Sequence, residues 1–296
     1  MSQSPIFLVS GAGGHLGRRV AELLLARGAG RVIAGSRDPA KLAELVAKGA
    51  EARKVDFDDP NLAAAFDGID RLMIISTDVL DRPGHRLTQH KAAVAAASKA
   101  GVKHIVYTSM PNPEPGSPIP FAPDHLGTEQ ALAASGLAWT VLRNSWYAEN
   151  LHHSLPQVLA SGQWYTSAGE GRTSYVTRED CAQAAVAALV AAGDKSARYD
   201  ITGPEALSVS DIAGIAGEVF GKPIHVVQLT DEQLAQGMAA AGVPAPFVPL
   251  FVSFDANARS GRIALVSGDV AKLTGNEPQK LRDFLAANKA SFLPAA

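Results

Sequence analysis

Short apolar runs alternate with amphipathic helical stretches through the first half of the chain. The runs lie at residues 6–10, 31–35, 51–55, 71–75, 104–108 and 138–142 and read as strands. Apart from 51–55, which carries Glu51, Arg53 and Lys54, they are mostly apolar rather than alternating, as expected where helices cover both faces of a sheet. Helices are predicted between them, near 15–27, 40–48, 60–67, 86–100 and 124–135. In the first, Val20, Leu23, Leu24 and Leu25 share one side and Arg18, Arg19 and Glu22 the other. Asp38-Pro39 and Asp59-Pro60 mark the next two helix starts, because aspartate caps free amides and proline suits the first helical position. This alternation predicts an α/β fold with a doubly wound parallel sheet. After residue 150 it loosens. Thr177 to Asp180, Ser208 to Asp211 and Thr230 to Gln233 read as capped helix starts, with Asp180 completing a capping-box variant. A further strand is predicted at Tyr199–Thr202, and a loop or broken helix start at Gly242–Pro249. Residues 1–150 are expected to form one domain, to which the chain returns at 168–202. Residues 151–296 hold the remainder, and a smaller, mostly helical part, mainly 203–296, would bind substrate.

The first strand runs into Gly11-Ala12-Gly13-Gly14-His15-Leu16-Gly17, and a helix follows at once. A strand, a glycine turn and a helix N-terminus form a phosphate site: the backbone comes close, and unpaired amides and the helix dipole face the anion. The spacing is a looser form of the dinucleotide fingerprint of Rossmann-type sheets. An acid about 20 residues after the glycines would hold a ribose 2′-hydroxyl. Here the strand ends in Ser36-Arg37 instead, and a guanidinium suits a 2′-phosphate. Asp38 is assigned to helix capping. Pockets in such sheets open at the carboxyl ends of the strands. That rule selects Ser10-Gly11, Ser36-Arg37, Asp56-Phe57, Ile75-Ser76-Thr77, Thr108-Ser109 and Arg143-Asn144.

Composition adds exclusions. A net charge of −2 offers no basic surface for nucleic acid or membrane. No stretch is long and apolar enough to span a bilayer, and the N-terminus lacks a secretory pattern. With Cys181 the sole cysteine, no intrachain disulfide is available and a cytoplasmic location is expected. Cys181 lies in an alanine-rich stretch and reads as core. His152-His153 has no neighbouring acid or cysteine cluster, so no metal is expected. The C-terminal helices are a candidate homodimer face.

The glycine turn, Ser36-Arg37-Asp38-Pro39, Ile75-Ser76-Thr77 and above all Leu142-Arg143-Asn144-Ser145-Trp146-Tyr147-Ala148-Glu149-Asn150 resemble the NmrA-like, atypical short-chain dehydrogenases. Within these the chain is most similar to bacterial NAD(P)H:quinone oxidoreductases of type 2, with triphenylmethane-dye reductases as close relatives. The resemblance implies NADPH along Gly11 to Leu16, with NADH a weaker substitute, no flavin, and Arg37 on the 2′-phosphate. It places Asp56 and Phe57 beside the adenine, and Ile75, Ser76 and Thr77 beside ribose and pyrophosphate. Leu142, Arg143, Asn144, Ser145, Trp146 and Tyr147 would line the nicotinamide side, with Thr108 at the neighbouring strand end. Two residues depart from the family's pattern: His15 for a glutamine at a solvent-facing position, and Ser145 for a glycine.

The usual dehydrogenase Tyr-x-x-x-Lys base is missing, and His125 and Glu129 stand in its place, one helical turn apart. That absence argues against alcohol dehydrogenase or epimerase chemistry but not against what the resemblance implies, hydride transfer to a quinone or similar conjugated acceptor, whose hydroquinone anion needs little acid help. His125, oriented by Glu129, with Asn144 and Tyr147, would supply hydrogen bonds to the acceptor oxygen. Trp146 and Tyr147, with the Val243–Phe254 segment, would build the acceptor pocket. Two other readings keep the same cofactor: a redox sensor that binds the dinucleotide without chemistry, and a reductase of azo or triphenylmethane dyes.

Overall fold

The computed structural model describes residues 4–293. Seven parallel strands form one sheet in the order β3-β2-β1-β4-β5-β6-β9. They are β1 (Ile6–Val9), β2 (Arg31–Ser36), β3 (Glu51–Lys54), β4 (Arg71–Ile74), β5 (His104–Ser109), β6 (Ala138–Asn144) and β9 (Ala197–Ile201). The helices between them are α1 (His15–Ala26), α2 (Ala43–Ala47), α3 (His85–Lys99) and α4 (Ala122–Ala134). Strand order reverses between β1 and β4, which opens a crevice at the carboxyl edge of the sheet. The first six strands agree with the sequence expectation to within two residues.

Each face of the sheet is sealed by its own cluster. On one side Val20, Ala21 and Leu24 of α1 pack against Cys181, Ala184, Ala185 and Ala188 of α6 (Arg178–Ala191). On the other, Ala93, Val94 and Ala97 of α3 and Leu132 of α4 cover Leu72, Ile105 and Tyr107. Burying one such leucine or valine contributes about 1.5–3 kcal/mol, so both faces are held firmly. The Asp38 carboxylate accepts from the amide of Ala40, as capping predicts. Asp59 likewise accepts from the amide two residues on, Asn61, but the helix predicted there is a short 3₁₀ segment at Leu62–Phe66. Thr177 caps α6 through the amide of Asp180. The Asp180 carboxylate takes the threonine hydroxyl, so the predicted capping box is only half made.

The chain leaves the sheet after β6 and comes back through α6 and β9. The intervening segment holds α5 (Leu155–Ser161), β7 (Gln163–Thr166) and β8 (Arg172–Thr173). Past β9 come β10 (Leu207–Ser208), α7 (Val209–Phe220), β11 (His225–Gln228), α8 (Asp231–Ala240), α9 (Val248–Arg259), α10 (Asp269–Thr274) and α11 (Leu281–Ala287). Ser208 and Thr230 close complete capping boxes on α7 and α8, as their sequences predict. This region is not purely helical, however. Two small sheets, β7 with β11 and β8 with β10, tie the excursion after β6 to the segment after β9. Leu155, Leu159, Ile212, Phe220, Phe284 and Phe292 form its separate apolar cluster.

Candidate functional site

The crevice at the switch point is a cleft of about 370 Å³. Gly11, Gly13 and Gly14 line it, as do Arg37, Asp56, Phe57, Ile75, Ser76 and Thr77. The glycine turn is shaped by sterics. Gly11 has φ +64°, a backbone region that disfavours other residues. A Cβ on Gly17 would lie 2.4 Å from the Gly11 carbonyl oxygen, so only glycine lets α1 pack on the turn. Within the turn, Ala12 donates its amide to Gly35 and Gly14 to Gly11. The first turn of α1 then supplies the free amides for an anion. Ala12 and Leu16 are buried beneath the turn, and His15 is exposed at the helix start.

Lys41 joins Arg37 in the cleft wall. The sequence reading missed it, although the spacing Arg37-x-x-x-Lys41 on a capped helical turn carries the signal. Ser10 and Thr108 fix the neighbouring backbone. The Ser10 hydroxyl accepts from the amide of Ile75 at 3.0 Å, and Thr108 Oγ1 accepts from Ser76 at 2.9 Å. Thr77 donates its amide to His90 Nε2 at 3.0 Å. The His90 proton therefore sits on Nδ1, which donates to Thr128 Oγ1 at 2.9 Å. Thr128 donates in turn to the carbonyl of Asp124 at 2.7 Å. Burial, with the Arg86 charge nearby, pushes the His90 pKa down to about 3, so the ring is neutral.

His125 belongs to the same buried network. Arg86 can only donate, so His125 Nε2 accepts from it at 2.9 Å. The His125 proton is then on Nδ1, 2.9 Å from Tyr107 Oη. Burial lowers the His125 pKa well below its usual value, and Arg86 lowers it further. Both ring nitrogens are already engaged, by Arg86 and by Tyr107, so the expected hydrogen bond from His125 to an acceptor oxygen has no free donor here. Its orientation by Glu129 is corrected too. Glu129 turns to the other side of α4, where it accepts from Ser109 Oγ at 2.7 Å and from Arg143 at 2.9 and 2.8 Å. Residues four apart share a broad helix face, and here one points to α3 and the other to the ends of β5 and β6. Arg143 also reaches Glu114 at 2.7 Å. It is thus an ion-paired clamp between β6 and α4, and Leu142 is fully buried in the core.

Asn144, Tyr147 and Trp146 stand where β6 leaves the sheet. Asn144 Nδ2 donates to Tyr147 Oη at 3.1 Å, while Asn144 Oδ1 is sealed without a partner. Burial raises the Tyr147 pKa, so the phenol keeps its proton. Trp146 packs on Phe254 of α9 with ring centroids 4.4 Å apart, which brings the C-terminal region to the site. Ser145 is buried, with its hydroxyl 3.0 Å from that of Ser174.

The residues present fit a nicotinamide dinucleotide. A glycine cradle and two cations lie at one end of the cleft. Gln89 lines the cleft with a buried, unpartnered Oε1, and Asn144 offers a second unpartnered acceptor at the end of β6. Nothing in the sequence singled out Gln89, Arg86 or His90 beforehand. The available signal was three polar residues at i, i+3 and i+4 on an alanine-rich helix.

A family profile described as NAD(P)H-binding matches residues 11–192. Quinone oxidoreductase 2 of Escherichia coli is 33% identical over 93% of this chain and 96% of its own length. A crystal structure of the E. coli NADPH-dependent quinone oxidoreductase complexed with NADPH superposes with a TM-score of 0.88 at 32% identity, covering 95% of this chain and 99% of that one. The triphenylmethane reductase of Citrobacter sp., complexed with NADP(H), also gives 0.88 at 31% identity, covering 97% and 99%. Among the described residues no helix is long and apolar enough to cross a membrane. By its glycine cleft, sheet order and near full-length similarity, the chain belongs to the NAD(P)H-binding family of Rossmann-type reductases.

Proposed function

We propose that this protein is an NADPH-dependent reductase that passes a hydride directly to quinones or similar conjugated acceptors, without flavin. The observation that carries the cofactor choice is the pair Arg37 and Lys41 in the cleft wall beyond the glycine turn, where a 2′-phosphate would lie. The first turn of α1 holds the pyrophosphate, and Asp56 and Phe57 border the adenine. Bound there, the nicotinamide supplies the hydride. Asn144 orients the ring through its unpartnered amide oxygen, and Tyr147 donates its retained proton as a hydrogen bond to the acceptor oxygen. Trp146 and Phe254 form the apolar wall against a flat acceptor. No lysine-activated tyrosine is required, because a quinone accepts a hydride readily. The names of the quinone and dye reductases similar to this chain support the reading. The protein acts in a reducing compartment, the cytoplasm, in keeping with its buried single thiol.

The test is NADPH oxidation with a benzoquinone, a naphthoquinone and a cationic dye, repeated with NADH and with Arg37→Ala. Quinone-dependent oxidation that favours NADPH, with the preference lost in the variant, is expected. Tight NADPH binding with no turnover on any acceptor would replace the reductase by a dinucleotide sensor.

A further inference from the structure

Two arginines on the nicotinamide side are equally buried, each 7% exposed, yet they are compensated very differently. Arg143 is ion-paired to both Glu129 and Glu114. Arg86 has no carboxylate in hydrogen-bonding contact. Its Nη2 donates to a neutral histidine, its guanidinium lies 5.0 Å over the Phe121 ring, and its Nε is sealed without a partner. Among the described residues Nη1 makes no hydrogen bond. A buried cation without an ion-pair partner costs several kcal/mol, and a ligand anion would relieve that cost.

The surroundings locate the charge. Arg86 sits one turn before Gln89 of α3, which lines the cleft, and through His125 it is linked to Tyr107 of β5. Asp78 lines the cleft, and Tyr147 is the proposed donor to the acceptor. The charge therefore lies at the carboxyl side of the sheet, between α3 and α4 and close to β5. His125 and the Phe121 ring fix it from behind.

We infer that Arg86 sets the charge preference of the acceptor site, which takes acceptors carrying or developing a negative oxygen opposite Tyr147. The inference rests on the acceptor lying at that end of the cleft. Hydride addition to a quinone breaks the nicotinamide C4–H bond and leaves oxidised nicotinamide. It forms one new bond to hydrogen on the quinone and delivers the electron pair to the ring. The product is a hydroquinone monoanion, which takes its second proton from water. Arg86 would favour that monoanion over the neutral quinone, and any acceptor already ionised beside its carbonyl.

The experiment measures binding to protein saturated with NADP⁺, so that no reduction occurs. The probes are a hydroxynaphthoquinone, ionised near neutral pH, and its uncharged methyl ether. Wild type should bind the anion roughly tenfold or more tightly than the ether. Arg86→Gln should remove that preference and Arg86→Lys should keep part of it. Equal affinities in wild type overturn the inference, even if the Gln variant fails to fold. So does a preference that survives in a folded Arg86→Gln. Quinone turnover is measured separately: if it is absent while the anion preference persists, the reductase reading fails and the charged site stands.

Discussion

On the β1–β3 side of the cleft the binding groups are backbone amides and cations standing free in the wall. On the β4–β6 side they are buried side chains already bonded to one another. The first end is open before a ligand arrives, and each of its groups acts almost independently. At the second end, Arg86, His125, Tyr107, Thr128, His90 and the Thr77 amide form connected contacts, so a change at one place moves several. Affinity for the phosphates should therefore yield to single substitutions in proportion to each lost contact. At the nicotinamide end, substitutions should cost stability first.

The sharpest break on the open side is Gly17→Val. Its added carbons would meet the Gly11 carbonyl and Ile75, so the turn must open. NADPH binding should fall more than about 100-fold, because the anion site itself is lost. Near wild-type affinity by titration would show that the turn tolerates a side chain.

On the buried side, Glu129→Ala leaves Arg143 with Glu114 alone and strips Ser109 of its acceptor. Removing one partner of a buried pair should destabilise the fold by about 3 kcal/mol, read from urea unfolding. A loss under about 1 kcal/mol would mean that the half-buried Glu114 carries the clamp.

Arg37→Ala returns to the open side. It should weaken NADPH by about 10- to 100-fold and NADH little, without a change in melting temperature. Lys41→Ala should act in the same direction. Equal losses for both nucleotides would place Arg37 away from the 2′-phosphate.

The smallest effect is a pH slope. His90 binds a proton in the unfolded chain below about pH 6.5. In the folded protein it stays neutral down to about 3. Its folded pKa is depressed, so the unfolded chain binds the extra proton and stability is lost as pH falls through this window. The slope is about 1.4 kcal/mol per pH unit for this ring, and His125 acts in the same direction. His90→Asn should remove its share of the slope between pH 6.5 and 5. An unchanged slope in a folded variant would show that His90 is protonated in the native state.

The same contrast explains what could be read in the sequence. Strands buried on both faces leave mostly apolar runs, and a glycine turn leaves its spacing, so the sheet and the glycine turn at its switch point were legible. Caps at Asp38, Ser208 and Thr230 were legible because their partners lie two or three residues away. The pairs β7 with β11 and β8 with β10 were not, because the strands are two to four residues long and their partners lie far along the chain. The nicotinamide end failed for a related reason. Helical spacing put His125 and Glu129 on one face, but nothing local told which neighbour each would meet. Arg86 lies 39 residues from its histidine, and Phe254 comes from the far end of the chain to meet Trp146.

The return of the chain to the sheet bears on its synthesis. Arg19 of α1 is paired with Glu179 of α6, 160 residues later, and Val20, Ala21 and Leu24 share a core cluster with the alanines of α6. A ribosome therefore releases the glycine turn roughly ten to thirty seconds before the helix that packs behind α1. Through that interval the side of α1 that meets α6 stays uncovered. A fragment cut after β6 would keep every glycine of the cradle and still be prone to aggregate.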